Sequence, residues 1–83
     1  MKIFYTHGAA EELKSLSKPD QKRIVSKMRF YAGRENPLTF AKRLVDVREG
    51  QFRYRIGDYR VIFDVARDSI YVLKIAKRSD IYR

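Results

Sequence analysis

The chain of 83 residues contains no cysteine. Disulfide staples, thiol chemistry and every cysteine-bearing zinc site are therefore excluded, and helix-on-sheet packing must carry stability. Histidine is nearly as scarce. The single residue, His7, offers no second imidazole for a paired metal site, and its place after Thr6 reads as the end of a strand. Long apolar runs are missing too. The N-terminal "MKIFYTHGAAEELK" has no stretch of signal-peptide length and nothing further on could span a bilayer, so the expectation is a soluble, cytoplasmic protein with no membrane partner. The glycines at 8, 33, 50 and 57 fit no phosphate-loop spacing. Glu11, Glu12, Glu35 and Glu49 form no metal-binding or glycosidase pattern and read as helix-turn and loop surface, so neither a metal nor a small-molecule cofactor is expected.

Negative charge is the remaining deficit: ten acidic residues stand against nineteen basic ones, a formal +9. Such an excess favours a polyanionic partner. Residues 1–50 carry 11 basic and 6 acidic side chains and residues 51–83 carry 8 and 4, so the charge belongs to a folded surface rather than a basic tail. With no internal repeat or low-complexity tract, 1–83 reads as a single domain, near the size at which only about 60% of the unfolded surface can be buried.

The period of the apolar residues changes along the chain. "KIFYT" at 2–6 is a short strand. "AAEELKSL" at 9–16 spaces Ala9, Leu13 and Leu16 for one helical face, and "DQKRIVSKMRFYAG" at 20–33 does the same with Ile24, Met28, Tyr31 and Val25, capped by Ser17 or Asp20. The short interval makes these an antiparallel helical hairpin. "LTFAKRL" at 38–44 fits a helical turn or a strand. From Gln51 the period becomes two, giving "QFRYRI", "YRVIFDV" and "IYVLKIA" joined by tight turns. The predicted fold is α+β: an N-terminal strand and a helical hairpin packed on one face of a mainly antiparallel, four- to five-stranded twisted sheet. Tyr5, Phe30, Tyr31 and Phe40 are read as core.

Within "FRYRIGDYRVIFDV" a two-residue loop at Gly57-Asp58 sets Ile56 opposite Tyr59, Arg55 opposite Arg60, Tyr54 opposite Val61 and Arg53 opposite Ile62. Arg53, Arg55 and Arg60 then share one face, while Phe52, Tyr54, Ile56, Tyr59, Val61, Phe63 and Val65 share the other. The arginine face is expected to be open. Like charges directly opposite cost up to about 1 kcal/mol. Surface strands do carry arginine and guanidinium planes stack, which accounts for one such residue better than for three. A second loop at Arg67-Asp68 would set Arg60 opposite Ile75 and Tyr59 opposite Ala76, bringing Lys77 and Arg78 beside Arg55 and Arg60. Tyr82 would stand at the rim of a phosphate-binding concavity.

"RYRIGDYRVIFDV" followed by "YVLKIAKRSDIY" resembles the RelE/ParE superfamily of bacterial and archaeal type II toxins over nearly the whole chain. The resemblance implies the toxin component of a toxin–antitoxin system, acting as a ribosome-dependent endoribonuclease that cleaves mRNA, with a cognate antitoxin, the ribosome and mRNA as partners. Arg60 matches the arginine that stabilises developing phosphate charge, and Arg53 and Arg55 match a basic pair. Lys77 or Arg78 matches the late basic residue, with Arg78 taken as catalytic, and Tyr82 matches the terminal tyrosine. Lys77 and Lys74 are expected to bind RNA. Arginine stays protonated and is a poor general base. That departure leaves Lys77, Tyr82 or Lys74 to exchange protons, or a mechanism of electrostatics and positioning. The other readings are a ParE-like inhibitor of DNA gyrase without nuclease activity, and an inactive homologue that only binds its antitoxin.

Overall fold

Thr6 is where the first strand ends and the helical hairpin begins. Its extended backbone and its side chain, which accepts from Ala9 N at 3.2 Å, cap the helix α1 (His7–Lys14). His7 is thus the first helical residue and not the end of β1 (Lys2–Tyr5), and the helix starts two residues earlier than its apolar spacing suggests. Ser17 caps α2 (Lys18–Ala32) in the same way, with Pro19 in the first turn where its missing N–H costs nothing. Gln21 Nε2 donates to Leu16 O at 2.8 Å and to Lys14 O at 3.2 Å, so an α2 side chain satisfies carbonyls at the end of α1 and sets the bend.

The computed structural model describes residues 1–78. Its strands β2 (Lys42–Arg43), β3 (Phe52–Ile56), β4 (Tyr59–Ala66) and β5 (Ser69–Lys77) join β1 in one five-stranded sheet of order β1-β5-β4-β3-β2. Neighbours are antiparallel except β1, which runs parallel to β5 from Lys2 opposite Ser69 to Tyr5 opposite Val72. The segment 38–44 resolves into turns and the two-residue β2; Asn36 Oδ1, accepting from Leu38 N at 3.1 Å, holds the turn that precedes it.

Both helices lie on one face. Ile24 and Met28 of α2 and Ala9 of α1 are fully buried with Tyr54, Val61, Phe63, Ile70 and Val72 of the sheet. An aromatic ladder runs outward through this core, with ring centres 4.4 Å apart for Phe63 and Tyr54, 4.3 Å for Tyr54 and Tyr31, and 5.2 Å for Tyr31 and Phe40. The ladder ends in solvent. Phe30 and Phe40 are 47% and 51% exposed and lie on the outer side of Tyr31 instead of in the core, where Tyr31 and Tyr54 already fill the space. Lys27 and Arg34 stand over the Phe30 ring at 5.4 and 5.2 Å.

The hairpin register is as the two-residue loop dictates: Arg55 faces Arg60 and Arg53 faces Ile62. The next pairing differs. From Ala66–Ser69 to Phe63–Val72 it follows the tight turn, but beyond Phe63 a β-bulge at Leu73 shifts the register, so Ile62 faces Lys74, Arg60 faces Ala76 and Tyr59 faces Lys77. Two contacts on the far side of β5 accompany the bulge. Thr6 N donates to Val72 O at 3.0 Å, and Glu12 of α1 accepts from Ile75 N at 2.9 Å. Glu12 is therefore a strand-edge cap rather than idle helix surface.

Arg67, at the β4–β5 turn, has φ +57, a left-handed conformation that disfavours any Cβ. Arg67→Gly should raise stability by a few tenths to about 1 kcal/mol, the relief of that strain less glycine's greater unfolded entropy, read from urea midpoints.

The buried tyrosines set an alkaline limit. Burial, and then the neighbouring Tyr31, push the Tyr54 phenol from 10.0 up to about 12. Its hydroxyl donates to Pro37 O at 2.6 Å. Tyr59 is also raised, first by its bond to Asp20 Oδ2 at 2.7 Å and then by burial. The folded state holds these protons more tightly than the unfolded chain, so their contribution is complete below the unfolded value of 10.0 and is lost as pH climbs toward about 12. Tyr54→Phe should cost about 1 kcal/mol near neutrality through the lost bond. It should also fall off less steeply in urea melts at rising alkaline pH.

Candidate phosphate-binding site

The face of the sheet opposite the helices carries the arginines, and its chemistry follows from strand alternation. Arg60, Ile62 and Asp64 of β4 point to this side with Arg53 and Arg55 of β3. Arg55 is exposed, whereas Arg53 and Arg60 are half-buried and the Nε of Arg60 is shielded from solvent.

The expectation of an open face holds for one end only. Residues 44–50 fold back over the sheet, and Ile62 beneath them is 3% exposed. Gly50 makes the approach possible. It has φ +152, and a Cβ there would lie 2.6 Å from Ile62 Cγ2 and 3.2 Å from Leu73 Cδ1. Gln51 fastens the fold-back: its N–H donates to Asp64 Oδ1 at 2.9 Å, its Oε1 accepts from Val65 N at 2.8 Å, and its carbonyl accepts from Leu44 N at 2.9 Å. At the tip, Asp46 accepts from Arg48 Nε at 3.1 Å and Nη2 at 3.2 Å, and that contact holds its carboxyl below the usual range. Val45 and Val47 project fully into solvent.

Between this fold-back and the strands lies a cleft of about 330 Å³. Lys42, Arg43, Arg53 and Arg60 line it together with Asp46 and Glu49. Cations outnumber carboxylates, and one carboxylate is already engaged by Arg48. Such a cleft is built for an anion of modest size, with guanidinium forks that match phosphate oxygens. Among the described residues no three of His, Asp and Glu are grouped as a metal site would need.

The structure brings together Arg53, Arg55 and Arg60. The backbone of Arg78 lies at the hairpin end, where its N–H donates to Asp58 O at 2.8 Å. Lys77 does not join the arginines. The bulge puts it opposite Tyr59, on the helix side, where it lines a separate groove with Glu12, Ser15 and Leu16. Lys74 is opposite Ile62, but its ammonium pairs with Glu12 at 3.3 Å. Tyr82 lies outside the described residues. The fold-back itself was not foreseen. Its one signal in the sequence is Asp64, a carboxylate alternating in step with Arg60 on a face otherwise assigned to cations.

The fold has known counterparts. A chain in the crystal structure of the toxin–antitoxin complex RelBE2 from Mycobacterium tuberculosis superposes with a TM-score of 0.80 at 24% identity, covering 93% of this chain and 96% of that one. A chain of the RelB–RelE antitoxin–toxin complex from Methanococcus jannaschii gives 0.68 at 20% identity, with 95% and 94% covered. These likenesses establish a RelE-like fold: two helices on a five-stranded mixed sheet. No curated protein is significantly similar in sequence. The family model for the ParE toxin of type II toxin–antitoxin systems matches residues 3–82, and the chain belongs to that family, within the RelE/ParE superfamily of type II toxins.

Proposed function

We propose that this toxin is a ribosome-dependent endoribonuclease that cleaves mRNA and so inhibits translation in the cytoplasm, held in check by a cognate antitoxin. The observation that carries the reading is the convergence of Arg53, Arg55 and Arg60 on one face, with Arg55 and Arg60 directly opposed and Arg60 half-buried at the cleft. Placing like charges opposite each other works against the sheet. A phosphate arriving at this face would meet two guanidinium groups at once, each able to grip its oxygens.

Cleavage by attack of a ribose 2′-oxygen on the adjacent phosphorus accumulates negative charge on the non-bridging oxygens. Preorganised guanidinium donors stabilise that charge more than they stabilise the ground state. In this reading Arg60 grips the phosphate, Arg53 and Arg55 extend the cationic floor, and Arg78 closes the hairpin end, with Tyr82 the terminal stacking residue. The formal +9 adds long-range attraction to a polyphosphate such as the ribosome, which should weaken steeply with salt. Lys74 and Lys77, turned away from the cleft, serve that general attraction at most. An antitoxin is the expected partner because both structural counterparts are toxin–antitoxin complexes.

A second reading is favoured by the family model, which is that of ParE toxins: inhibition of DNA gyrase with no chemistry by the toxin. Two assays on the same purified chain separate them. Incubated with mRNA-programmed ribosomes, a ribonuclease yields discrete cuts and leaves gyrase supercoiling untouched. Intact mRNA together with blocked supercoiling would transfer the assignment to gyrase, and inertness in both would leave an antitoxin-binding homologue.

A further inference from the structure

The cleft contains a carboxylate that the arginine chemistry leaves unused. We propose that Glu49 is its general base, taking the proton of the attacking 2′-hydroxyl; the inference rests on the ribonuclease reading.

Of the two carboxylates that line the cleft among the described residues, Asp46 is engaged by the Arg48 guanidinium through both its oxygens. Glu49 has no side-chain hydrogen bond or ion pair among the described residues, although Lys42, Arg43, Arg53 and Arg60 line the same cleft. A lone acid amid four cations would ordinarily be drawn into a pair. Its backbone is fixed on both sides while its side chain stays free. Glu49 N donates to Asp46 O at 3.1 Å, and the next residue, Gly50, lies so close to the sheet that a Cβ would meet Ile62 at 2.6 Å. Ile62 is two residues from Arg60 on the same face of β4, so the fold-back holds Glu49 beside the phosphate-gripping arginine. Gln51, clasped by Asp64 and Val65, locks the segment just beyond.

The step balances without a metal or co-reactant other than water. A Glu49 oxygen accepts the 2′-hydroxyl proton as the 2′-oxygen forms its bond to phosphorus. The bond from phosphorus to the 5′-oxygen breaks, giving a 2′,3′-cyclic phosphate and a 5′-alkoxide that takes a proton from water; Glu49 then returns its proton to solvent. Arginines stabilise the phosphorane but cannot accept the proton, whereas a carboxylate can. Among the described residues, the charged groups that line the cleft with Glu49 are Lys42 and Arg43 of β2, Arg53 of β3, Arg60 of β4 and Asp46 of its own loop; Arg48 is paired with Asp46, and Asp64 accepts from Gln51 N.

Wild type, Glu49→Gln and Glu49→Asp would be compared for cleavage on programmed ribosomes from acidic to neutral pH, alongside ribosome association and thermal melting. Glu49 is exposed, so Gln should fold and associate as wild type does. The Gln variant should cleave about 100-fold more slowly or worse and lose the acidic limb of the pH–rate profile, with Asp retaining that limb at an intermediate rate. A Gln variant within a few-fold of wild type, or one slowed with its acidic limb intact, overturns the assignment and leaves the ribonuclease reading standing. No cleavage by the wild-type chain overturns that reading, and this inference with it.

Discussion

Gly50→Ala should lower stability by about 3 kcal/mol or more, from about 1–3 kcal/mol for a Cβ at a backbone conformation that L side chains rarely adopt and about 1–3 kcal/mol for overpacking. The backbone at φ +152 has no comfortable place for an L side chain, and the added carbon would meet Ile62 Cγ2 at 2.6 Å on a sheet face with no slack. Ile62 is 3% exposed and cannot swing aside, because its neighbours Val61 and Phe63 are fixed in the core behind it. For a domain of this size each kcal/mol corresponds to roughly 4–8 °C in Tm, so the variant should melt well over 10 °C below wild type. Gly8→Ala is the matched control. Nothing lies within 4 Å of a Cβ there and the residue is inside α1, so that substitution should stabilise by roughly 0.5–1 kcal/mol. If Gly50→Ala melts with wild type, the fold-back is not held against the sheet, and the cleft loses its wall. Toxicity should fall along with stability, since Leu44, Val45, Asp46 and Glu49 line the site from that segment.

How legible this was in the sequence depends on how local each feature is. The β3–β4 hairpin could be read residue by residue because a two-residue turn and a period of two leave a single register that buries Tyr54, Val61 and Phe63 together. The helices were legible for the same reason: of the two caps the sequence offers for α2, Ser17 is the one used, and only the start of α1 lies outside the reading, because Thr6 caps it two residues before the apolar pattern begins. What failed to show was set by distant partners. The bulge at Leu73 comes with contacts from Thr6 and Glu12, more than sixty positions away, and its effect is to turn Lys77 from the arginine face to the helix side. No alternation pattern encodes that. The fold-back over Ile62 was hidden because 38–44 suits helix or strand about equally, and because a glycine of extreme φ is indistinguishable in sequence from one in an ordinary turn. Phe30 and Phe40 look like core by composition and are surface by competition, since Tyr31 and Tyr54 occupy the interior first.

Arg60→Gln should abolish toxicity while moving stability by no more than about 1 kcal/mol, and that disparity distinguishes a functional arginine from a structural one. Glutamine keeps much of the apolar stem that a half-buried position uses, but it removes the charge facing Arg55. Relief of that like-charge pair is worth a fraction of a kcal/mol up to about 1 kcal/mol and offsets the loss of the other contacts of Arg60, so urea midpoints should shift little. Activity should fall far more. Loss of one preorganised donor to a developing oxyanion typically costs about 100- to 1000-fold in rate, so on the proposed ribonuclease reading mRNA cleavage on programmed ribosomes and growth arrest on induction should both disappear. Arg60→Lys separates charge from geometry: an ammonium preserves the point charge and loses the planar fork, so an intermediate rate is expected if bidentate grip on the phosphate matters. Arg55→Gln, at the exposed partner position, should relieve the same like-charge pair and raise stability by up to about 1 kcal/mol, with a smaller loss of activity, because Arg55 lies outside the residues lining the cleft. Activity that simply tracks stability across these variants would make the arginine pair part of the scaffold. The site would then have to be sought elsewhere on the basic surface.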